Sequence, residues 1–280
     1  MRNLIFNIFN FIYLILEKYF NLHLTRAHFS SPIPNSKDID DSVYTKVFSL
    51  KGIVINERNQ LELINEFQSK YSYEFIPYKN KGLSLLDSFI LYSLIRSKKP
   101  KKIVEIGYGA TSKIIVKALE KNINNLDAQF YSIDPFIKNI NRINNNSINI
   151  IPKKVQDIPI NFFIDVDFLF IDSSHVSKIG SDVNYALLEI IPTLKNKSII
   201  HWHDIYFPLN YPKLIIENKT RSTFWNESYL VHSFLLFNDH FKILYSGKYL
   251  QLNCFNFLKE KFPYLSKQHS LTSFYIQKIK

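Results

Sequence analysis

The sequence predicts an α/β protein, a seven-stranded and mostly parallel sheet with helices on both faces. Three observations predict it. From Lys101 onward, short apolar runs alternate with amphipathic helical stretches. The first run ends in a two-glycine turn that opens a helix. Acidic or imidazole side chains then stand at the carboxyl ends of four runs, the edge where open α/β sheets bind ligands.

The segment "NLIFNIFNFIYLILEKYF" is apolar from Leu4 to Leu16, short for a membrane span. Its Asn and Glu residues recur at helical spacing, so it reads as an amphipathic helix. Such a helix docks on protein or makes contact with a membrane surface. No small-residue cleavage site follows, so no secretory signal is expected. "HFSSPIPNSKDID" reads as an extended linker, and helices are predicted over 59–71 and 83–97, the second stopped by Pro100. These parts give an expected division into residues 1–98 (helix, linker and helical cap) and 99–280, the cofactor-binding domain.

"KIVEIG" is the first buried strand, "TSKIIVKALEKN" the helix after it, and "AQFYSID" the second strand. An irregular Asn-rich stretch leads to a third, "INII". "VDFLFID" is the fourth, "VNYALLEIIPTL" a helix, "SIIHWH" the fifth strand and "NESYLVHSFLLFN" a further helix. "FKILYS" and "SFYIQKI" are expected to close the sheet as an antiparallel pair.

Composition excludes several classes. Nearly half of the 280 residues are apolar, which suits a buried core rather than disorder. The net charge of +11 comes from dispersed lysines without an arginine-rich or aromatic-interleaved motif, so no specific nucleic-acid partner is expected. The single cysteine, Cys254, rules out an internal disulfide and a zinc ribbon, and fits a reducing, cytoplasmic setting, with peripheral membrane attachment left open by the N-terminal helix.

The polar strand ends carry the chemistry. In "VEIGYGATS", Gly107 and Gly109 permit a tight turn and close approach of backbone to a ligand. Ser112 stands where a dinucleotide fingerprint requires glycine, which disfavours a nicotinamide dehydrogenase. Glu105 precedes the turn and Asp134 ends the second strand, where an acid can accept hydrogen bonds from both ribose hydroxyls. Asp172 ends the fourth strand, and His203 and Asp204 end the fifth. His201 and Trp202 read as packing residues, and Asp182 and Asn184 as helix-start residues.

The strings "VEIGYGATS", "YSIDPF", "KVQDI", "DFLFIDSSH" and "IIHWHDI" resemble the class I S-adenosylmethionine-dependent methyltransferases over about Lys101 to Tyr245. "HFSSPIPN", "DSSHVSKIGSDVNY", "HDIYFP" and "WNESYL" are similar to a bacterial branch known as methyltransferase domain 24. The resemblance implies a Rossmann-like fold in which Glu105, Gly107 and Gly109 line the methionine part and Asp134 holds the ribose. It places Gln156 and Asp157 beside adenine, and Ser112 and Asp172 among the cofactor contacts. Likeness to the metal-dependent catechol and caffeoyl-CoA O-methyltransferases implies a divalent ion on Asp172, His203 and Asp204, with His175 in the position of the base. Glu227 or Tyr229 of "WNESYL" is a candidate for the acceptor pocket.

The implied cofactors are S-adenosylmethionine and a divalent metal: magnesium, manganese or iron. A histidine ligand shifts the preference toward a transition metal. A histidine base suits neutral pH, since its intrinsic pKa is near 6.5. The expected reaction is methylation of a hydroxyl on a small molecule or sugar, with an oligomeric assembly left open. Two other readings remain. One is an iron-dependent hydroxylase on the same fold, using His175, His203 and Asp172. The other is a non-catalytic module that docks a partner.

Overall fold

In the computed structural model one sheet is formed by β1 (Lys102–Ile106), β2 (Gln129–Ile133), β3 (Asn149–Ile151), β4 (Phe168–Ile171), β5 (Ile199–Trp202), β6 (Phe241–Ser246) and β7 (Phe274–Lys278). The strand order is β3-β2-β1-β4-β5-β7-β6. β1 to β5 pair in parallel. β7 inserts between β5 and β6 and runs antiparallel to both. All residues are described except 1, 24–27, 32, 35–36, 38, 78–81, 123–126, 138–147 and 217–222, and of 2–8 and 10 the backbone alone. Most of the Asn-rich stretch, and part of the linker, lie outside the described residues.

The helices are α1 (Arg2–Phe20), α2 (Asp41–Thr45), α3 (Glu57–Tyr71), α4 (Leu85–Lys98), α5 (Ala110–Glu120), α6 (Asp182–Tyr185), α7 (Ile191–Thr193), α8 (Lys213–Ile216), α9 (Glu227–Leu235), α10 (Gly247–Asn253) and α11 (Phe255–Lys261). A π-helical turn, Ala186–Ile190, joins α6 to α7. The predicted single helix over 183–194 is therefore interrupted. The sequence pattern predicts no helix between the last two strands, where α10 and α11 stand.

The chain forms two compact units, Met1–Thr45 and Lys46–Lys280. In the first, α1 ends at Asn21, whose left-handed backbone (φ 51°) suits a short polar side chain. Among the described residues of α1, Phe11, Leu14 and Phe20 are exposed. No helix among the described residues is long and apolar enough to cross a membrane.

In the second unit, strand alternation sorts side chains onto two cores. Ile103, Phe168, Phe170 and Ile199 face one core with α3, α4 and α5. Val104, Ile106, Leu169, Ile171, Ile200 and Trp202 face the other with Ile190, Ile191 and α9. Both faces are covered, which is why the central strands read as unbroken apolar runs. α4 starts at Ser84, whose hydroxyl accepts from the Asp87 N–H (3.0 Å), and stops at Lys99 (φ 47°) before Pro100. Asp87, inside this apolar helix, is fully buried and accepts from the Tyr245 hydroxyl (3.1 Å) and the Thr272 N–H (3.0 Å).

Candidate active site

The strand order reverses between β1 and β4, and the site is built where their carboxyl ends meet. The Asp172 N–H donates to the Ile106 carbonyl (2.9 Å), so the two strand ends are locked together. Gly107 then turns with φ 93°, and a Cβ there would lie 2.4 Å from the Asp172 carbonyl oxygen. Only glycine fits that position. Gly109 is extended, with nothing within 4 Å of where its Cβ would be. Space is open on that side of the bend.

Asp134 stands across from the bend. Its carboxylate accepts from the Tyr108 N–H (3.1 Å) and the Phe136 N–H (2.7 Å), and each oxygen keeps capacity for another donor. Between bend and carboxylate lies a cavity of about 370 Å³, with Gly107, Asp134, Phe136, Gln156, Asp172 and Asp182 in its walls. That size is within the range of small-molecule sites. Gln156 lines it and donates through Nε2 to the Gly180 carbonyl (2.8 Å). Asp157 is exposed and outside the cavity wall. Asp182 accepts from the Ser174 N–H (2.8 Å) and hydroxyl (2.6 Å), fixing the loop after β4.

Glu105 is not in the cavity wall. It is fully buried beneath the bend and accepts from the hydroxyls of Thr111 (2.8 Å), Ser112 (2.6 Å) and Ser132 (2.9 Å). Ser112 is buried with it, and also accepts from the Gly109 N–H (3.3 Å). Both residues thus shape the bend from below. Burial pushes the Glu105 carboxyl up to about 7, with the three hydroxyls limiting the rise. Glu105→Ala strips three buried hydroxyls of their acceptor and is expected to cost about 3 kcal/mol in denaturant unfolding. Glu105→Gln should cost less, and should remove the loss of stability expected between pH 4.5 and 7, where the unfolded chain ionises first. An unchanged pH dependence in Glu105→Gln would contradict this.

Two imidazoles and two carboxylates converge beside the cavity. Asp172 Oδ1 lies 3.3 Å from His203 Nδ1 and 3.4 Å from His175 Nε2. Asp204 Oδ2 lies 3.4 Å from His203 Nδ1 and 3.8 Å from His175 Nε2. His175 (φ 59°) and Asp204 (φ 55°) both hold left-handed backbone, unusual for residues with a Cβ. The first residues of α9 grip the His175 carbonyl through the N–H groups of Asn226 (3.0 Å) and Glu227 (3.2 Å). Glu227, itself buried, accepts from His175 Nδ1 (2.8 Å) and from the Ser173 hydroxyl (3.1 Å). Asn226 takes the cap position of α9, yet its side chain accepts from the Ser177 N–H (2.6 Å) instead of capping the helix.

Electrostatics follow from this packing. Burial alone would lower His175, but Asp172, Glu227 and Asp204 overcome it and raise the ring to about 10. Burial would raise Asp172, and its bonds to His175 and His203 instead hold it well below the usual carboxylate range. His203 is raised by the same carboxylates against its burial. Its Nε2 is buried without a partner among the described residues. His201 lies apart, fully buried between Tyr275 (4.2 Å) and Phe170 (4.3 Å), with both nitrogens unpartnered among the described residues and its protonation strongly disfavoured by burial. Trp202 is core.

A family model described as a methyltransferase domain matches residues 104–205, which span the bend, Asp134, Asp172, His175 and His203. An uncharacterized protein of Archaeoglobus fulgidus is 29% identical over 158 residues, 49% of this chain and 71% of its own. Among solved structures, the chain is similar to the S-adenosylhomocysteine-bound methyltransferase PaMTH1 of Podospora anserina, at TM-score 0.46 and 12% identity, covering 92% of this chain and all of that one. It is also similar to an O-methyltransferase of Bacillus cereus in complex with the same compound, at TM-score 0.46 and 12% identity, covering 82% and 95%. The matched stretch begins inside β1 and ends just past β5, so α9, with Glu227, and the β6–β7 pair lie beyond it.

Proposed function

We propose that the chain transfers a methyl group from S-adenosylmethionine to a hydroxyl of a small molecule, assisted by a divalent ion. The observation that carries the donor half is Asp134, hydrogen-bonded to the glycine bend across an open cavity at the sheet's switch point. Asp134 would accept from the ribose hydroxyls, and Gly107 would let the backbone approach the donor. Gln156, its Nε2 already held by Gly180, keeps its amide oxygen as an acceptor for the adenine amino group. The exposed ring of Phe136 offers a face for the base. When bound, the donor supplies a sulfonium methyl open to in-line attack, and holding the acceptor oxygen opposite it provides much of the acceleration.

Asp172, His175, His203 and Asp204 fit a divalent ion. Asp172, His175 and His203 offer ligand atoms within 4.8 Å of one another. Glu227 on His175 Nδ1 supplies the outer carboxylate that orients a ligating imidazole. Imidazole with carboxylate favours manganese, iron or zinc over magnesium. A bound ion would lower the pKa of the acceptor hydroxyl. Without an ion His175 is cationic at neutral pH and accepts no proton, so we assign it to ion binding rather than to the role of base.

The test is a thermal shift of chelator-treated protein. Manganese or zinc at about 100 times its Kd should raise Tm by about 5 °C or more, and S-adenosylmethionine should add a further rise. A rise with magnesium equal to that with manganese would contradict the ligand set. The two-histidine, one-carboxylate group also fits an iron-dependent hydroxylase. Oxygen consumption by the iron-loaded protein, without methyl transfer, would select that reading.

A further inference from the structure

β6 runs in the same direction as β5, because both pair antiparallel with β7. The carboxyl end of β6 and the start of α10 therefore stand on the sheet edge that carries Asp204. A cavity of about 720 Å³ opens there, roughly twice the cleft beside Asp134, with Lys248, Gln251, Asn253, Phe255 and Lys267 among its walls. No Asp or Glu lines it. Neither lysine forms an ion pair among the described residues.

Lys248 is half-buried and its Nζ contacts the Gln251 Oε1 (2.8 Å), the Ser270 hydroxyl (3.0 Å) and the Tyr206 ring (5.5 Å), with no carboxylate in ion-pair contact among the described residues. Burial lowers its pKa, and attraction by the buried Asp87 carboxylate offsets only part of that. Lys267 lies 5.7 Å over the Phe255 ring. The cavity is tied to the cluster by a short relay. Gln251 Oε1 accepts from the Leu271 N–H (3.3 Å), and the next residue, Thr272, donates its hydroxyl to Asp204 (3.2 Å). Tyr206, under the Lys248 ammonium, is two residues past Asp204.

We propose that this cavity holds an oxyanion, a phosphate or a carboxylate, carried by the acceptor, with Lys248 as its main contact and Lys267 and Gln251 at its sides. The assignment to the acceptor rests on reading the neighbouring cluster as the place where the acceptor hydroxyl reacts. Lys248 then determines specificity: it selects anionic acceptors and has no part in holding the methyl donor.

The experiment titrates full-length protein with phenyl phosphate, benzoate and neutral benzyl alcohol, followed by calorimetry and thermal shift. One or both anions should bind, the alcohol should not, and the preferred anion identifies the group. Lys248→Met and Lys248→Gln should each weaken anion binding about tenfold, equivalent to about 1.4 kcal/mol, and leave S-adenosylmethionine affinity within about twofold. Lys267→Gln should weaken anions less. Equal anion affinity in wild type and both Lys248 variants, or no anion binding at millimolar concentration, would overturn the site. Lys248-dependent anion binding in a protein that fails to bind S-adenosylmethionine would overturn its assignment to the acceptor, and would locate the failure in the methyltransferase reading instead.

Discussion

Replacing Gly107 with alanine is expected to lower Tm by about 6–12 °C and to abolish binding of S-adenosylmethionine. The cause is local and double. At φ 93° an L-residue is strained, by about 1–2 kcal/mol. The new Cβ would also sit 2.4 Å from the Asp172 carbonyl oxygen, and that oxygen is backbone at the end of a buried strand. Relief requires β1 and β4 to part at the Asp172–Ile106 hydrogen bond, which would displace both the bend and the Asp172–His175–His203 cluster. A total cost of about 3 kcal/mol or more follows. Gly109→Ala is the control: its backbone is extended and its Cβ would meet nothing, so folding should change by less than about 1 kcal/mol. Equal Tm values for the two variants, measured by calorimetry, would refute this account of the bend.

Asp172→Ala is expected to weaken manganese or zinc binding by at least about 100-fold, since loss of a supporting outer-shell group alone costs 10–100-fold. Its effect on folding is smaller. The carboxylate is about one-third exposed, so solvent screening reduces the lost ion pairing to about 1–2 kcal/mol. The pH profile carries a clearer signature. His175 titrates near 10 folded against 6.5 unfolded, so its contribution is full below pH 6.5 and disappears as pH rises toward 10. Metal-free wild type should therefore lose Tm across that window, and Asp172→Ala should lose less. Asp172, held low, acts in the opposite sense, and its contribution is lost as pH falls below the ordinary carboxylate range. An ion must displace the His175 proton, so metal affinity in wild type should rise with pH between 6.5 and 10. A Tm profile identical in the two proteins, with metal affinity unchanged, would sink the cluster.

The fold was legible because its strands are buried on both faces. "KIVEI", "FLFI" and "SII" have no polar side to confuse the period, apart from Glu105 and its hydroxyl partners. Glu105 shows where strand position alone misleads. It stands at a strand end like Asp134, but alternation turns it into the interior, where Thr111, Ser112 and Ser132 occupy it. Convergence of His175, His203 and the two aspartates could be expected from strand ends, whereas the raised pKa of His175 could not. That depends on Glu227, which reaches His175 from 52 residues away. The site at Lys248 had no motif to mark it. "GKYLQLN" carries apolar residues too sparse to mark a helix, and the placement of the amine in a cavity wall without Asp or Glu is visible only once the sheet edge is built. Asp87 did leave a trace, a single acid in the apolar run "LSLLDSFILYSLI".

The most direct measurement is a calorimetric titration of S-adenosylmethionine into wild type and Asp134→Ala. Among the described residues the Asp134 carboxylate accepts from two backbone N–H groups of its own loop and bend, so the variant should fold with a near-native Tm. Binding with one-to-one stoichiometry in wild type, weakened about 100-fold or more in the variant, is the expected result, since two hydrogen bonds to a charged acceptor are worth about 3 kcal/mol or more. Equal affinity in the two proteins, or no heat from wild type, would contradict the assignment of this cavity to the methyl donor.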